Sequence, residues 1–197
     1  MTSAAAPDRN GGIGIGRFEP GDVLMRSYTS QDLRSTFVTG LRNAHAVEQQ
    51  ALAMIDRQLD RLINYPEVAD RLRLHRVETQ QQIGRLDEIL GSLRETHSTL
   101  KDLAMNMIGN FAVMGHVMAG DEILKNSFVN FAFEHFEIAS YRSLLALADA
   151  GPFASATPLL EATLKEEQAM AAWVEESIPA LTRKYVGLAE QGRTASH

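Results

Sequence analysis

The chain has 197 residues, with 25 acidic residues against 19 Lys plus Arg and a formal charge of −6. About 100–200 residues suit a single domain, and 45% apolar with 22% charged residues is enough to bury a core. The absence of cysteine excludes disulfides, thiolate metal sites and a catalytic thiol, and the acidity argues against a nucleic-acid partner, which needs a basic stripe.

Residues 1–28 read as a flexible Gly-rich arm. The run Gly12 to Gly16 is not a dinucleotide fingerprint, since neither a strand before it nor a helix directly after it is predicted. Ile13, Ile15, Phe18 and Leu24 are the anchors if the arm docks on a protein partner. The first ten residues lack the basic start and apolar run of a secretory signal. Nor does any window reach the roughly 18 apolar residues of a membrane span. A cytoplasmic protein with no membrane association is therefore expected.

The first helix is predicted from about Ser30, where Thr29 and Asp32 resemble a capping box. Its apolar stripe runs through Phe37, Leu41, Ala44, Leu52, Ile55, Leu59 and Leu62 at the helical period. Asn64-Tyr65-Pro66 breaks it, and Pro66 can open a second helix. That helix carries Val68, Leu72, Leu86, Ile89 and Leu93, with Gly91 marking a frayed end. Residues 97–119, with Met105, Met107, Met114 and Met118, read as a connection carrying a short helix, its methionines filling gaps.

A third helix is expected from Asp121 to about Ala150, stopped by Gly151-Pro152. A fourth begins between Ser155 and Pro158 and is expected to kink or end at Pro179, with a short helix over 180–189 and a frayed tail over 190–197. The predicted fold is all-α: a ferritin-like four-helix bundle spanning residues 29–189, two hairpins joined by a crossover.

Residues three, four and seven apart share a helical face. On that criterion Glu48 lies midway between Leu41 and Ile55, with His45 on the same side. His75, Glu78 and Gln82 run into the stripe of Leu86 and Ile89. Glu134 lies between Ser127 and Tyr141, with Glu137 at the edge, and Glu167 lies between Leu160 and Val174. Glu161 points outward, and Glu166 and Trp173 sit on flanks. A lone buried carboxylate costs several kcal/mol unless paired or bound to a metal.

One inward glutamate on each of four helices therefore points to a cation held by Glu48, His75, Glu78, Glu134, Glu137 and Glu167. Hard oxygens with an imidazole suit iron, or alternatively manganese. Gln82 is expected to orient a carboxylate from behind, and the Tyr141 hydroxyl to reach one. His135 is expected to pair with Glu137 or a neighbouring helix. The alternative is a metal-free bundle for structure or protein interaction. The third helix has a second apolar stripe, Val129, Phe133, Phe136, Leu144 and Leu147, which suits an isologous homodimer face.

Four stretches resemble the YciF-type ferritin-like stress-protein family over residues 31–176. They are Glu48, His75-Arg-Val-Glu78-Thr79 with Gln82, Glu134-His135-Phe-Glu137-Ile-Ala-Ser-Tyr141, and Leu159-Leu-Glu161-Ala-Thr163-Leu-Lys-Glu166-Glu167. The resemblance implies a four-helix bundle, a dimer, and a stress-related role with ferroxidase activity. Departures are Val47 before Glu48, His45 where the family tends to carry tyrosine, no cysteine in the connection, and the added arm. Di-iron bundles carry Glu-x-x-His on two helices. Here the second helix reads His75-x-x-Glu78 and the fourth Glu167-x-x-Met170, which leaves open one metal ion or two.

Overall fold

The computed structural model describes residues 30–96 and 121–196. Four helices make up the bundle: α1 (Ser30–Leu59), α2 (Pro66–Ser92), α3 (Glu122–Ala150) and α4 (Thr157–Glu190), the last preceded by a 3₁₀ turn over Ala154–Ala156. Helix α1 packs on α2 and α3, and α4 on α3 and α2, so α2 and α3 occupy opposite corners. The chain is a ferritin-like four-helix bundle. The arm, the Met-rich segment and its expected short helix lie outside the described residues.

Sequence signals explain most boundaries. Pro66 starts α2, where its missing N–H is not needed. Helix α2 does not fray at Gly91: Glu95 N–H bonds Leu90 O and Arg94 N–H bonds Gly91 O, closing a Schellman turn. Arg94 takes the left-handed position of that turn at φ 57. Helix α4 ends in the same motif, with Gly192 at φ 63. At Gly151 the backbone comes so close to Phe153 that a Cβ would meet its ring at 2.5 Å, and Phe153 in turn stacks on Phe37 at 4.5 Å.

Two expectations are overturned. Helix α4 passes through Pro179 and continues to Glu190. Local propensity loses there to packing, because Leu181 and Leu188 are buried in a cluster with Ile55, Tyr65, Leu72, Ile123 and Val174. The C-terminal residues are also clasped to the bundle. Tyr65 Oη donates to Ala195 O at 2.6 Å, Asn64 Nδ2 to Thr194 O at 2.9 Å, and Ile123 N–H to Ser196 O at 2.9 Å.

The second stripe of α3 also differs from expectation. Val129, Phe133 and Leu144 are buried inside the chain, Phe133 against Val47 and Ala51 of α1. Helix α3 is apolar all round because it is wedged between α1 and α4. Of that stripe, Phe136 remains exposed.

One apolar cluster, containing Phe37, Leu41, Leu86, Leu90, Leu144 and Leu160, fills one half of the bundle. The cluster around Tyr65, Leu72 and Val174 fills the other. The polar residues of the interior lie between them.

Candidate metal centre

The four helices converge their mid-length faces on one polar layer. Glu48 sits seven residues from both Leu41 and Ile55, and all three are buried. On α2, His75, Thr79, Gln82 and Leu86 follow one another at four-, three- and four-residue steps, again all buried. Helix α3 brings Glu134, Glu137 and Tyr141, and α4 brings Thr163 and Glu167. The Thr79 hydroxyl is satisfied by His75 O of its own helix, which leaves the carboxyls as the chemistry of the layer.

Ligand atoms of His75, Glu134 and Glu167 lie within 4.8 Å of one another. His75 Nε2 faces Glu134 Oε1 at 3.4 Å. Gln82 Nε2 donates to Glu167 Oε1 at 2.5 Å, and Tyr141 Oη donates to Glu48 Oε1 at 2.5 Å. Both supporting residues thus do what the sequence reading expects of them. Five buried carboxylate oxygens nevertheless accept no hydrogen bond from an N–H or hydroxyl donor: Glu48 Oε2, Glu134 Oε2, both oxygens of Glu137, and Glu167 Oε2; between Glu137 and Glu167, and between Glu167 and Glu134, a hydrogen bond needs a proton on one of the carboxyls.

Glu78 departs from its expected place in the inner shell. Its Oε2 contacts His75 Nδ1 at 3.0 Å and Arg71 Nη1 at 2.9 Å, and its side chain is partly exposed. Three residues on from His75, it lies behind the imidazole. A proton held on Nδ1 by Glu78 leaves Nε2 directed at the layer, the arrangement that orients metal-bound histidines.

The electrostatics report the same crowding. Burial pushes the Glu48 carboxyl up to about 8, against the opposing Tyr141 hydrogen bond and the His75 charge. Burial, then the neighbouring carboxylates, hold Glu137 and Glu167 well above the ordinary range. For His75, burial disfavours the imidazolium, but the Glu134 charge and the hydrogen bonds it donates to Glu134 and Glu78 outweigh it and raise the group to about 10. Glu78 is lowered, chiefly by the His75 hydrogen bond.

Other sequence candidates fall outside. His45 is buried but contacts Asp87 at 3.3 Å. His135 does not pair with Glu137: its Nδ1 contacts Phe131 O at 2.9 Å, and its ring packs on Phe131. Three features escaped the sequence reading. Arg85 grips both oxygens of Glu166 at 2.7 Å, Arg71 holds Glu78, and Gln58 and Asn130 exchange side-chain amide hydrogen bonds at 2.8 and 3.0 Å. Arg71 and Glu78 are seven residues apart on one helix face, but the other two pairs join residues 72 and 81 apart in the chain, and no local pattern announces them.

Residues 32–187 match the family described as a domain of unknown function, DUF892. The chain belongs to the DUF892 family, the family of YciF. It is 27% identical to Protein YciF of Escherichia coli over 148 residues, which is 70% of this DUF892 chain and 84% of YciF. The crystal structure of that E. coli stress protein has a TM-score of 0.65 and 23% identity, covering 74% of this chain and 94% of that one. A protein from Xanthomonas campestris pv. campestris is similar at TM-score 0.68 and 29% identity, covering 80% of this chain and 99% of that one. The bacterioferritin of Desulfovibrio desulfuricans, a protein with a diiron site, shares the fold at TM-score 0.64 and 19% identity, over 79% of this chain and 85% of that one.

No helix among the described residues is long and apolar enough to cross a membrane.

Proposed function

We propose that this DUF892 protein is a carboxylate metal-binding bundle that takes up iron, or manganese, between its four helices and oxidises Fe(II), with dioxygen or peroxide as the electron acceptor, in a stress-related role. The observation that carries this reading is the set of five buried carboxylate oxygens without partners around His75. Burial of polar oxygens with nothing to bond is unfavourable by about 1–3 kcal/mol each. A hard cation removes that cost, and oxygens with one imidazole are the donor set iron and manganese accept.

His75 Nε2, Glu134 and Glu167 would hold the ion, with Glu48 and Glu137 within the same layer to complete or bridge its shell. Glu78 keeps the Nδ1 proton on His75, Gln82 holds Glu167, and Tyr141 holds Glu48. Iron bound there would supply one-electron redox chemistry. The protein's contribution is a dry, negatively charged site that favours the more highly charged product, with apolar clusters on both sides excluding water.

Elemental analysis of protein produced in iron-supplemented medium tests this. At least one iron or manganese per chain is expected, lost in Glu134→Ala. Sub-stoichiometric metal, equal in wild type and variant, would overturn it.

A second reading rests on the proton balance. Raised Glu48, Glu137 and Glu167 carboxyls and a charged His75 against Glu134 would also neutralise the layer without metal. The bundle would then be a cytoplasmic interaction module. Exposed Phe136 stands beside a shallow apolar groove lined by Gly40, Ala44, Val47, Ala139 and Leu147, the surface that a second copy would cover in a homodimer. A monomeric mass in sedimentation at micromolar concentration contradicts the dimer.

A further inference from the structure

A cation that reaches a layer buried between two apolar clusters needs a polar way in. Val47, Ala51 and Phe133 line the α1/α3 seam, and the two large clusters fill the bundle on either side of the layer. The α2/α4 seam is built differently. Arg71, Glu78 and Arg85 follow one another at seven-residue steps, so they share one face of α2, and Arg85 bonds Glu166 and Thr163 of α4.

Along this seam runs a graded hydrogen-bond chain. Glu166 and Arg85 are partly exposed, at 24% and 18% of their side chains, whereas Gln82 and Glu167 are fully buried. The same Gln82 Nε2 donates outward to Glu166 Oε2 at 3.0 Å and inward to Glu167 Oε1 at 2.5 Å. Glu166 is therefore one residue and one shared donor away from the inner carboxylate. Both its oxygens are taken by the Arg85 fork at 2.7 Å. While that fork is in place, the outer carboxylate is neutralised and offers nothing to a cation.

We infer that Glu166 is the outer carboxylate of a cation path into the centre, and that Arg85 keeps the path closed until its guanidinium swings to solvent. This rests on the metal-binding reading above. Glu166 exchanges waters of an arriving hydrated cation for its own oxygens and passes the ion to Glu167, with the Gln82 amide turning between the two. It is a positioning residue for loading, not a ligand of the loaded state.

The prediction is kinetic. A group that acts only on the path changes association and dissociation by the same factor and leaves the equilibrium untouched. Stopped-flow mixing of the metal-free full chain with Co(II) alone, read by the visible absorption of the ion, gives both rates and the Kd. Glu166→Gln should slow loading and release by about tenfold each, and Arg85→Gln should speed both by a similar factor, the range that local charge exerts on the approach of an ion. Kd should be unchanged in both. Glu166→Asp supplies the same reading if the first variant folds poorly, because its shortened carboxylate no longer reaches Gln82. Lys184→Gln, which removes the same charge farther along the seam, where Lys184 of α4 bonds Glu67 of α2, should leave the rates alone.

Rates unaffected by Glu166 and Arg85 substitution overturn the path. So does a Lys184→Gln effect equal to that of Arg85→Gln, which reduces it to general electrostatic attraction, or a Kd that weakens through dissociation alone in Glu166→Gln, which makes Glu166 a ligand. The absence of equilibrium Co(II) binding to wild type is a different outcome: it removes the centre itself, and the path with it.

Discussion

Tyr141 donates its hydroxyl to Glu48 Oε1 at 2.5 Å and leaves Glu48 Oε2 directed into the interior without a partner. One phenol thus fixes the orientation of a carboxylate whose other oxygen is still available. The hydrogen bond also lowers the Glu48 carboxyl against the dominant effect of burial. In Tyr141→Phe that support is gone, and the carboxyl becomes harder to ionise. Affinity for Mn(II) or Co(II), measured by titration calorimetry, should fall by about 10–100-fold, the usual loss when a residue supporting a ligand is removed. Unaltered affinity would mean that Glu48 does not bind metal.

The metal-free protein should lose stability as pH rises. Glu48 goes from 4.5 to about 8 on folding, and His75 from 6.5 to about 10, so at both sites the folded state binds the proton more tightly. Their contribution is fully present below the unfolded values and is lost as pH passes through the folded ones. Glu78 is lowered and has the opposite sign, with its contribution lost only in acid. Urea unfolding of chelator-treated protein should therefore give lower stability at about pH 9 than at about pH 5. Saturating metal should flatten or reverse the trend, because the ion binds the deprotonated ligands. Stability that climbs with pH in the metal-free protein contradicts the charge balance of the layer.

Glu137 is the clearest case of a side chain that burdens the fold when no metal is bound. It is buried with both oxygens unpartnered, and burial with the Glu167 and Glu48 charges makes ionisation unfavourable. Glu137→Gln replaces it with an amide that can donate to Glu167. The metal-free variant should be more stable by about 1–2 kcal/mol, with weaker metal binding, the exchange of stability for function common at such sites. A chemical melt and a metal titration of the same preparation test both halves. A destabilised variant that still binds metal fully would refute the assignment.

Arg94 offers a test unrelated to the centre. A non-glycine residue in the left-handed region costs about 1–2 kcal/mol, and Arg94 occupies that position in the turn closing α2. Arg94→Gly recovers part of it, less the greater freedom glycine has when unfolded. A gain of about 0.5–1 kcal/mol in thermal or urea unfolding is expected, with no change in metal binding.

The buried polar layer is legible in the sequence wherever helical phase alone decides. Glu48, Glu134 and Glu167 each lie seven residues from residues that are buried on both sides, and a 3.6-residue period locates such positions without tertiary information. Glu78 is not placed by phase alone: it stands three residues from His75, about 60° around the helix, and that difference decides whether a carboxylate faces the layer or the back of an imidazole. Pro179 looks like a break in the sequence because propensity is local, whereas the burial of Leu181 and Leu188 is not. The stripe of Val129, Phe133 and Leu144 was correctly found apolar, but which helix covers it follows from the packing order of the bundle and not from α3 itself.

The clasp at the chain's end has a consequence for handling the protein. Thr194 and Ala195 bond to residues 130 positions earlier, at the α1–α2 turn, and Ser196 receives the Ile123 amide at the start of α3. The last residues therefore staple the first hairpin to the second. Until residues 194–196 have been made and docked, the two hairpins lack this tie. A truncation that removes residues 194–196 takes this joint with it.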